Sequence, residues 1–434
     1  MLASVGACEA EHEVVELRAE HEGACTVEPG DSGDYCVGGN CAIEHDYVIR
    51  CPGAQSVEDI QLGINNQQVW GSFLVQGEGR RSFRIKGPQL ELVDPLPGLG
   101  FASPGEDGTL HRHLDGPGYL QSKSNGWEQV EVAGLPANYD ARYGFRLRPK
   151  DGVLHAGFRT GTQSGAYQLA TLQDGQWSWI QVGSWDPNVI DDYLGFDSWG
   201  RTISLVNTGD ADPGPQTFLR IDRGFPFAVG GEGELGRVAE PGSPQAGGEV
   251  PIAMLRRQDE GLELLAVVDQ QDWSATILPD TEALTGVCPL RYNPTAGECP
   301  NPQCISEVSG VERGAYQLGR TTGGELWAAW LATDATVQVD YSLTQVGAFL
   351  RCLGTPSSDA SAVLHLAQLA ADGSATQSLQ LPIAELGFLP TSGGTGLRHL
   401  GMSAFNKRVV LAFAIDHGDG EVAVRVLVIK TQQI

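Results

Sequence analysis

The sequence predicts an all-β fold, on three observations. The chain of 434 residues holds 57 Gly and 24 Pro, too many turn formers to leave room for long helices. From residue 58 onward short apolar alternations are separated by Gly, Asn and Asp, and helical periodicity is absent. An apolar-Gly pair then recurs seven times, each followed by a turn, which marks the chain as a repeat.

Charge narrows the partners. There are 28 basic residues against 54 acidic ones, a formal net charge of −26, and only five of the basic residues are Lys. Such a surface repels phosphate backbones and anionic headgroups, so no nucleic-acid partner is expected. The 41% hydrophobic content is that of a folded chain.

Residues 1–22 form the first segment. Cys8 follows Val5-Gly6-Ala7, a small-residue run that resembles the lipobox of bacterial lipoproteins and makes Cys8 the candidate lipidation site. Val stands where Leu is usual, and Met1 to Ala7 is shorter than a charged region plus an apolar region of about 7 to 15 residues. The expectation is therefore a misplaced start or a trimmed chain, with a free cysteine in a tail as the alternative. The acidic stretch EAEHEVVELRAEHEG reads as a solvated tether. No run of 18 apolar residues occurs, so membrane contact is expected only through a lipid anchor.

Residues 23–52 are expected to form a disulfide-rich module. Cys25, Cys36, Cys41 and Cys51 sit in a Gly/Asp-rich stretch that cannot build a hydrophobic core, a problem solved by two disulfides in an oxidising compartment. Their gaps lack the C-x2-C knuckles that hold tetrahedral zinc. Cys288, Cys299, Cys304 and Cys352 are expected to form two further disulfides that pin insertions at about 281–312 and 332–358. Each set of four allows three pairings.

Residues 53–434 carry the repeat. Its turns centre near Asn66, Gly108, Gly152, Gly200, Gly248, Gly324 and Lys407. Four or five residues later comes a small residue in six cases: Gly71, Ala156, Ser204, Ala253, Ala328 and Ala412. A further hairpin ends each unit, with turns such as Asn125-Gly126 and Asp174-Gly175, and Trp127, Trp177 and Trp273 open the last strand as packing residues. Four antiparallel strands in each unit of roughly 40 to 50 residues is the arrangement of a β-propeller, here with seven blades. The last unit ends after three strands, in EVAVRVLVIKT, while HDYVIRC precedes the first with nothing local to pair with. The latter is expected to close the ring, removing exposed sheet edges.

Over roughly residues 45–434 the chain resembles the secreted and lipid-anchored β-propeller proteins of bacteria. The resemblance is one of architecture. The Gly-His and Trp-Asp pairs of WD-repeat blades and the diglycine signature of kelch blades are absent, so no subfamily's functional residues carry over. The Cys25 to Cys51 stretch is similar to short cysteine-rich extracellular modules, with four cysteines where growth-factor-like ones have six.

Candidate chemistry is sought in the loops entering each first strand and joining the second and third, which share one face of a propeller. GSWDPNVIDDYLG places Trp185, Asp186, Asp191, Asp192 and Tyr193 together, aromatic faces beside carboxylates, a set suited to stacking on sugars and bonding their hydroxyls. PANYDARYG adds Tyr139, Asp140 and Arg142 one unit earlier. The competing reading is ring capping by the aromatics and turn formation by the Asp residues. The Asp-rich loops NTGDADPG, with Asp210 and Asp212, and DHGDGE, with Asp416, Asp419 and Glu421, offer oxygens for calcium, the one cofactor considered. Ordinary solvated turns are the favoured reading of both loops. His111, His113 and His155 share a register that could bind a transition metal, or be packed or solvated. Serine-nucleophile, paired-His metalloprotease, phosphate-loop and dinucleotide patterns are absent.

The function expected is a non-enzymatic, monomeric binding platform for an envelope or extracellular protein. Its expected location is extracytoplasmic, as an outer-membrane or cell-surface lipoprotein or as a secreted protein. The alternatives are a polysaccharide-binding propeller and a glycoside hydrolase or polysaccharide lyase, the last needing paired carboxylates that sequence spacing cannot identify.

Overall fold

The computed structural model describes the strands and tight turns between Cys25 and Ile434. Residues 1–24, the connections 31–35, 94–102, 105–109, 114–117, 132–145, 161–164, 209–215, 230–236, 240–249, 283–290, 293–302 and 384–398, and a few shorter turns lie outside it. Cys8, Tyr139, Asp140, Arg142, Asp186, Asp210, Asp212, Cys288, Cys299 and Asp419 are therefore outside the described residues. What is described is β-structure apart from one 3-10 turn at Thr431–Gln433. Seven sheets of four or five strands follow one another along the chain, with one two-stranded hairpin besides. Each turn marked in the sequence falls between two antiparallel strands.

Contacts divide the chain into two units, and the second and third sheets belong to the one that includes Gly98–Pro187. The second sheet is Ser103–Pro104, Leu110–His113, Gly118–Lys123 and Gly126–Glu131; the third is Arg146–Lys150, Val153–Thr160, Gly165–Gln173 and Gln176–Trp185. Leu154, Ala156 and Ala170 are buried in the third sheet, and Trp177 and Trp179 pack against them with stacked rings 5.4 Å apart.

The other unit, Gly23–Pro97 with Asn188–Ile434, holds five sheets. In the first, Val57–Asn65, Gln68–Val75, Gly79–Lys86 and Gln89–Val93, the small residue Gly71 faces Phe83 across the strands. A Cβ at Gly71 would come within 2.1 Å of the Phe83 ring, so the recurring small residue is here the floor under a fully buried aromatic. At the corresponding positions Ala253, Ala328 and Ala412 are completely buried. A second feature of the first sheet is a buried cation. Arg80 pairs with Asp59 and donates to the Ser72 hydroxyl at 3.0 Å, which keeps a charge tolerable at 3% side-chain exposure.

The fourth sheet is Val189–Phe196, Thr202–Thr208, Gln216–Ile221 and Phe227–Ala228; the fifth is Arg237–Val238, Ile252–Gln258, Gly261–Val267 and Trp273–Ile277. The sixth has three long strands, Gln303–Arg320, Leu326–Val346 and Phe349–Leu369, with Ala375–Ile383 and Arg291–Tyr292 at its margin. The inner parts of the long strands pack in the core, where Trp327 and Trp330 are 1% and 6% exposed. The outer parts run beyond the fourth strand as a three-stranded extension in which Ile305 is 64% exposed. Cys304 faces Val339, which faces Pro356, four residues from Cys352. That register separates the two cysteines by about 16 Å, beyond disulfide reach.

Both ends of the described chain meet in the seventh sheet. Leu400–Phe405, Arg408–Gly418 and Glu421–Lys430 form a meander, and Ile43–Arg50 adds antiparallel to Glu421–Lys430, with Thr26–Pro29 beyond it. The segment HDYVIRC thus lies on the last strand of the chain. Ile49, Val424, Val426 and Ile429 are completely buried along this pairing. Arg50 pairs with Glu421 at 3.1 Å and Asp46 with Arg425 at 2.6 Å, both from even positions of one strand and so from one face of it, and Glu44, at a bulge of that strand, pairs with Arg408 at 2.5 Å. A disulfide between Cys25 and Cys51 closes the margin.

The fourth to seventh sheets are also tied end to end. Ser198 N donates to Pro251 O at 3.0 Å, Arg320 Nη2 to Val250 O at 2.7 Å, and Asn406 N to Thr322 Oγ1 at 3.2 Å. These bonds join the turns that follow the first strands, and so fix that end of the sheets as a rigid base.

Candidate functional site

Of the sequence-predicted cluster, Trp185 is the last residue of a third-sheet strand, opposite Gly165. Asp191, Asp192 and Tyr193 lie in the first strand of the fourth sheet, opposite Asn207, Val206 and Leu205. The expected loop is largely strand, because β-branched and aromatic residues on either side of Asp186–Asn188 take ladder hydrogen bonds. Of the Asp-rich loops, Asp416 is at an exposed strand position, and Glu421 is spent on Arg50 and on the Gly53 amide at 3.3 Å. Among the described residues no group of three His, Cys, Asp or Glu could hold a metal ion. His111 and His155 are half-buried in different sheets.

A groove of about 580 Å³ lies beside the joined chain ends, lined in part by Glu28, Glu44, Asp46, Tyr47 and Glu91. The carboxylates that line it, and the Tyr47 hydroxyl, are already engaged. Glu44 and Asp46 hold arginines, Arg84 pairs with Glu91 at 2.7 Å, and the Tyr47 hydroxyl donates to Pro88 O at 2.7 Å. The hydrogen bond from Arg408 holds the Glu44 carboxyl below its ordinary pKa, as expected of a structural ion pair. The groove is a seam.

The candidate site lies instead on the turns at the rigid base of the fourth and fifth sheets. Asp197 ends the first strand of the fourth sheet with a fully buried side chain. Its carboxylate accepts from Trp199 N at 3.0 Å, Arg201 N at 2.7 Å and Arg201 Nε at 2.6 Å, an Asx-type closure that defines the turn. Ser198 is anchored on Pro251, and Arg201 Nη2 donates to Val268 O of the fifth sheet at 3.0 Å. The same guanidinium lies 4.7 Å from the centre of the Trp199 ring, a cation–π contact. Trp199 is thereby held at 50% exposure.

The next turn at this end carries Phe225, 88% exposed. Gly224 N donates to Ile221 O at 2.9 Å, and Asp222 takes a positive φ of 47° to make the bend. Ile203 faces Ile221, so the Trp199 and Phe225 turns emerge at one end of the sheet, two strands or about 10 Å apart. The fifth sheet contributes its Val268–Asp272 turn, closed by Val268 N to Asp272 O at 2.9 Å, and Trp273 directly after it at 39% exposure. Trp273, expected from sequence as packing, is thus partly presented to solvent. Asp222, Asp269 and Asp272 are exposed around these aromatics. The result is an apolar centre with an acidic rim, on turns whose backbone is fixed by hydrogen bonds.

Sequence reasoning passed over Trp199 and Phe225 because it searched the opposite set of loops. A signal was present: of the turns that follow the seven apolar-Gly pairs, DSWGR alone contains Trp.

No family model matches the chain, and no curated protein matches it. Several solved structures are similar. The WD40 domain of SCAP from fission yeast covers 91% of this chain over 100% of its own length, at 8% identity and a TM-score of 0.37. A protein of unknown function from Dyadobacter fermentans covers 89% of this chain and 99% of its own, at 14% identity and a TM-score of 0.38. A Hadza microbial sialidase covers 89% and 68%, at 13% identity and a TM-score of 0.34. The likeness is broad in extent but loose in superposition.

Proposed function

We propose that the chain is an extracytoplasmic, seven-bladed β-propeller serving as a non-enzymatic binding platform for another envelope or extracellular protein. The observation that carries this reading is the pair of exposed aromatics, Trp199 and Phe225, on hydrogen-bonded turns at one end of one sheet. Apolar surface held out of the core marks interaction sites. Trp and Arg are enriched among residues that dominate protein–protein binding energy, and here a guanidinium already stacks on the indole. Turns fixed before binding also lower the entropic cost of association. The acidic rim and the net charge of −26 favour a partner with a basic surround.

The succession of sheets and the pairing of Ile43–Arg50 with the last strand support the ring and its closure by the N-terminal segment. The Cys25–Cys51 disulfide supports an oxidising location. Cys8 is the proposed anchor to the membrane, and calcium remains a proposal for the Asp210 and Asp419 loops.

The test is recovery of ligands from envelope extract of the source organism with the wild-type chain and with a Trp199→Ala, Phe225→Ala double variant. A protein recovered near one-to-one by the wild type and lost by the variant is expected. Polysaccharide recovered equally by both, and lost on changing Trp185 and Tyr193 to Ala, would replace this reading with carbohydrate binding.

A further inference from the structure

The two-stranded hairpin outside the seven sheets consists of Cys36–Val37 and Asn40–Cys41. Val37 faces Asn40, and Cys36 faces Cys41. Gly38 and Gly39 are the only residues between the strands, the commonest length for a hairpin connection. In such a hairpin the pair next to the connection exchanges hydrogen bonds. The pair beyond it is the non-hydrogen-bonded one, where Cα atoms approach to about 4.5 Å and side chains are closest. That separation falls within the range of about 4.4 to 6.8 Å spanned by disulfides. The other two cysteines of the module, Cys25 and Cys51, are already bonded to each other, at a Cα separation of 4.1 Å.

We infer that Cys36 and Cys41 form a second disulfide, nested within the loop closed by Cys25 and Cys51, so that the module pairs outer with outer and inner with inner. Of the three pairings open to four cysteines, this one alone keeps both the observed bond and the observed register. The two thiols lose two protons and two electrons to a disulfide oxidant, which is reduced to two thiols. The inference rests on the extracytoplasmic reading, because a reducing compartment would keep the thiols apart.

The full chain, made in an oxidising compartment and equilibrated with oxidised glutathione, is denatured without reduction and alkylated. Cleavage before aspartate then releases Asp34–His45, which contains both inner cysteines, while Cys25 falls in Met1–Gly30 and Cys51 in Asp46–Glu58. The expected result is Asp34–His45 as a single unlinked fragment, unalkylated and lighter by two hydrogen atoms than after reduction, with Met1–Gly30 and Asp46–Glu58 linked through Cys25 and Cys51. Asp34–His45 cross-linked to Met1–Gly30 or to Asp46–Glu58 would overturn the pairing. So would alkylation of Cys36 and Cys41 while Cys25 and Cys51 stay linked. Alkylation of all four would remove the oxidising-compartment reading, and this inference with it.

Discussion

The joined chain ends and the aromatic turn surface use charge and aromatic groups in opposite ways. At the seventh sheet, Glu44, Asp46 and Arg50 are paired with cations or anions of the last strands, and the apolar side chains between are buried. At the base of the fourth and fifth sheets, one buried carboxylate, Asp197, organises a turn that holds Trp199 out of the core, with Phe225 exposed beside it. The first arrangement satisfies its own charged groups. The second leaves apolar area exposed that the scaffold itself does not need. Changes at the chain ends should therefore alter stability without altering binding, and changes at the turn surface the reverse.

The largest effect is expected from removing residues 1–52. This deletes the strand Ile43–Arg50 and exposes Val424, Val426 and Ile429, each worth about 1.5 to 3 kcal/mol when buried. Loss of a cooperative thermal transition is the predicted outcome. Next is Asp46→Ala, which strands Arg425 at 14% side-chain exposure without its carboxylate and should cost about 3 kcal/mol by urea unfolding. Replacing Cys25 and Cys51 by Ser opens a loop of 26 residues' separation and should cost about 3 kcal/mol in the same assay, by loop entropy.

The Trp199→Ala, Phe225→Ala double variant should sharpen the contrast. Its stability should stay within about 0.5 kcal/mol of wild type, because neither side chain is buried. Its affinity for the partner should fall by at least about 30-fold, the loss of one binding hot spot of about 2 kcal/mol. The smallest effect concerns pH. The folded-state pKa of Glu44 lies below its unfolded value, chiefly through the hydrogen bond from Arg408. Its contribution is then complete above the ordinary glutamate pKa and is lost as pH falls through the lowered one. Glu44→Gln should make the acid limb of the stability curve shallower, and leave stability above about pH 5 independent of pH to the same degree as wild type.

The same contrast explains how much was legible in the sequence. Strands and turns are local: Gly71, Ala253, Ala328 and Ala412 mark their register because an apolar neighbour needs the space. HDYVIRC could be matched to the last strand because each lacked a local partner. The exposure of Trp199 is not local. It depends on Arg201 reaching Val268, 67 residues away, and on Ser198 reaching Pro251, neither of which a turn sequence specifies. Likewise GSWDPNVIDDYLG reads as a polar loop by composition, yet Asp191 to Tyr193 are held in a ladder against Asn207 to Leu205. Composition describes what a segment prefers alone, and tertiary pairing overrides it.

The most direct measurement is photo-cross-linking in the native envelope with benzoylphenylalanine at position 225, beside a control at Leu92, 36% exposed on the first sheet. A single discrete adduct from position 225, absent from position 92 and lost on adding Trp199→Ala, is the predicted result. No adduct at 225, or the same adducts from both positions, would contradict the claim that the chain binds its partner through the aromatic turn surface.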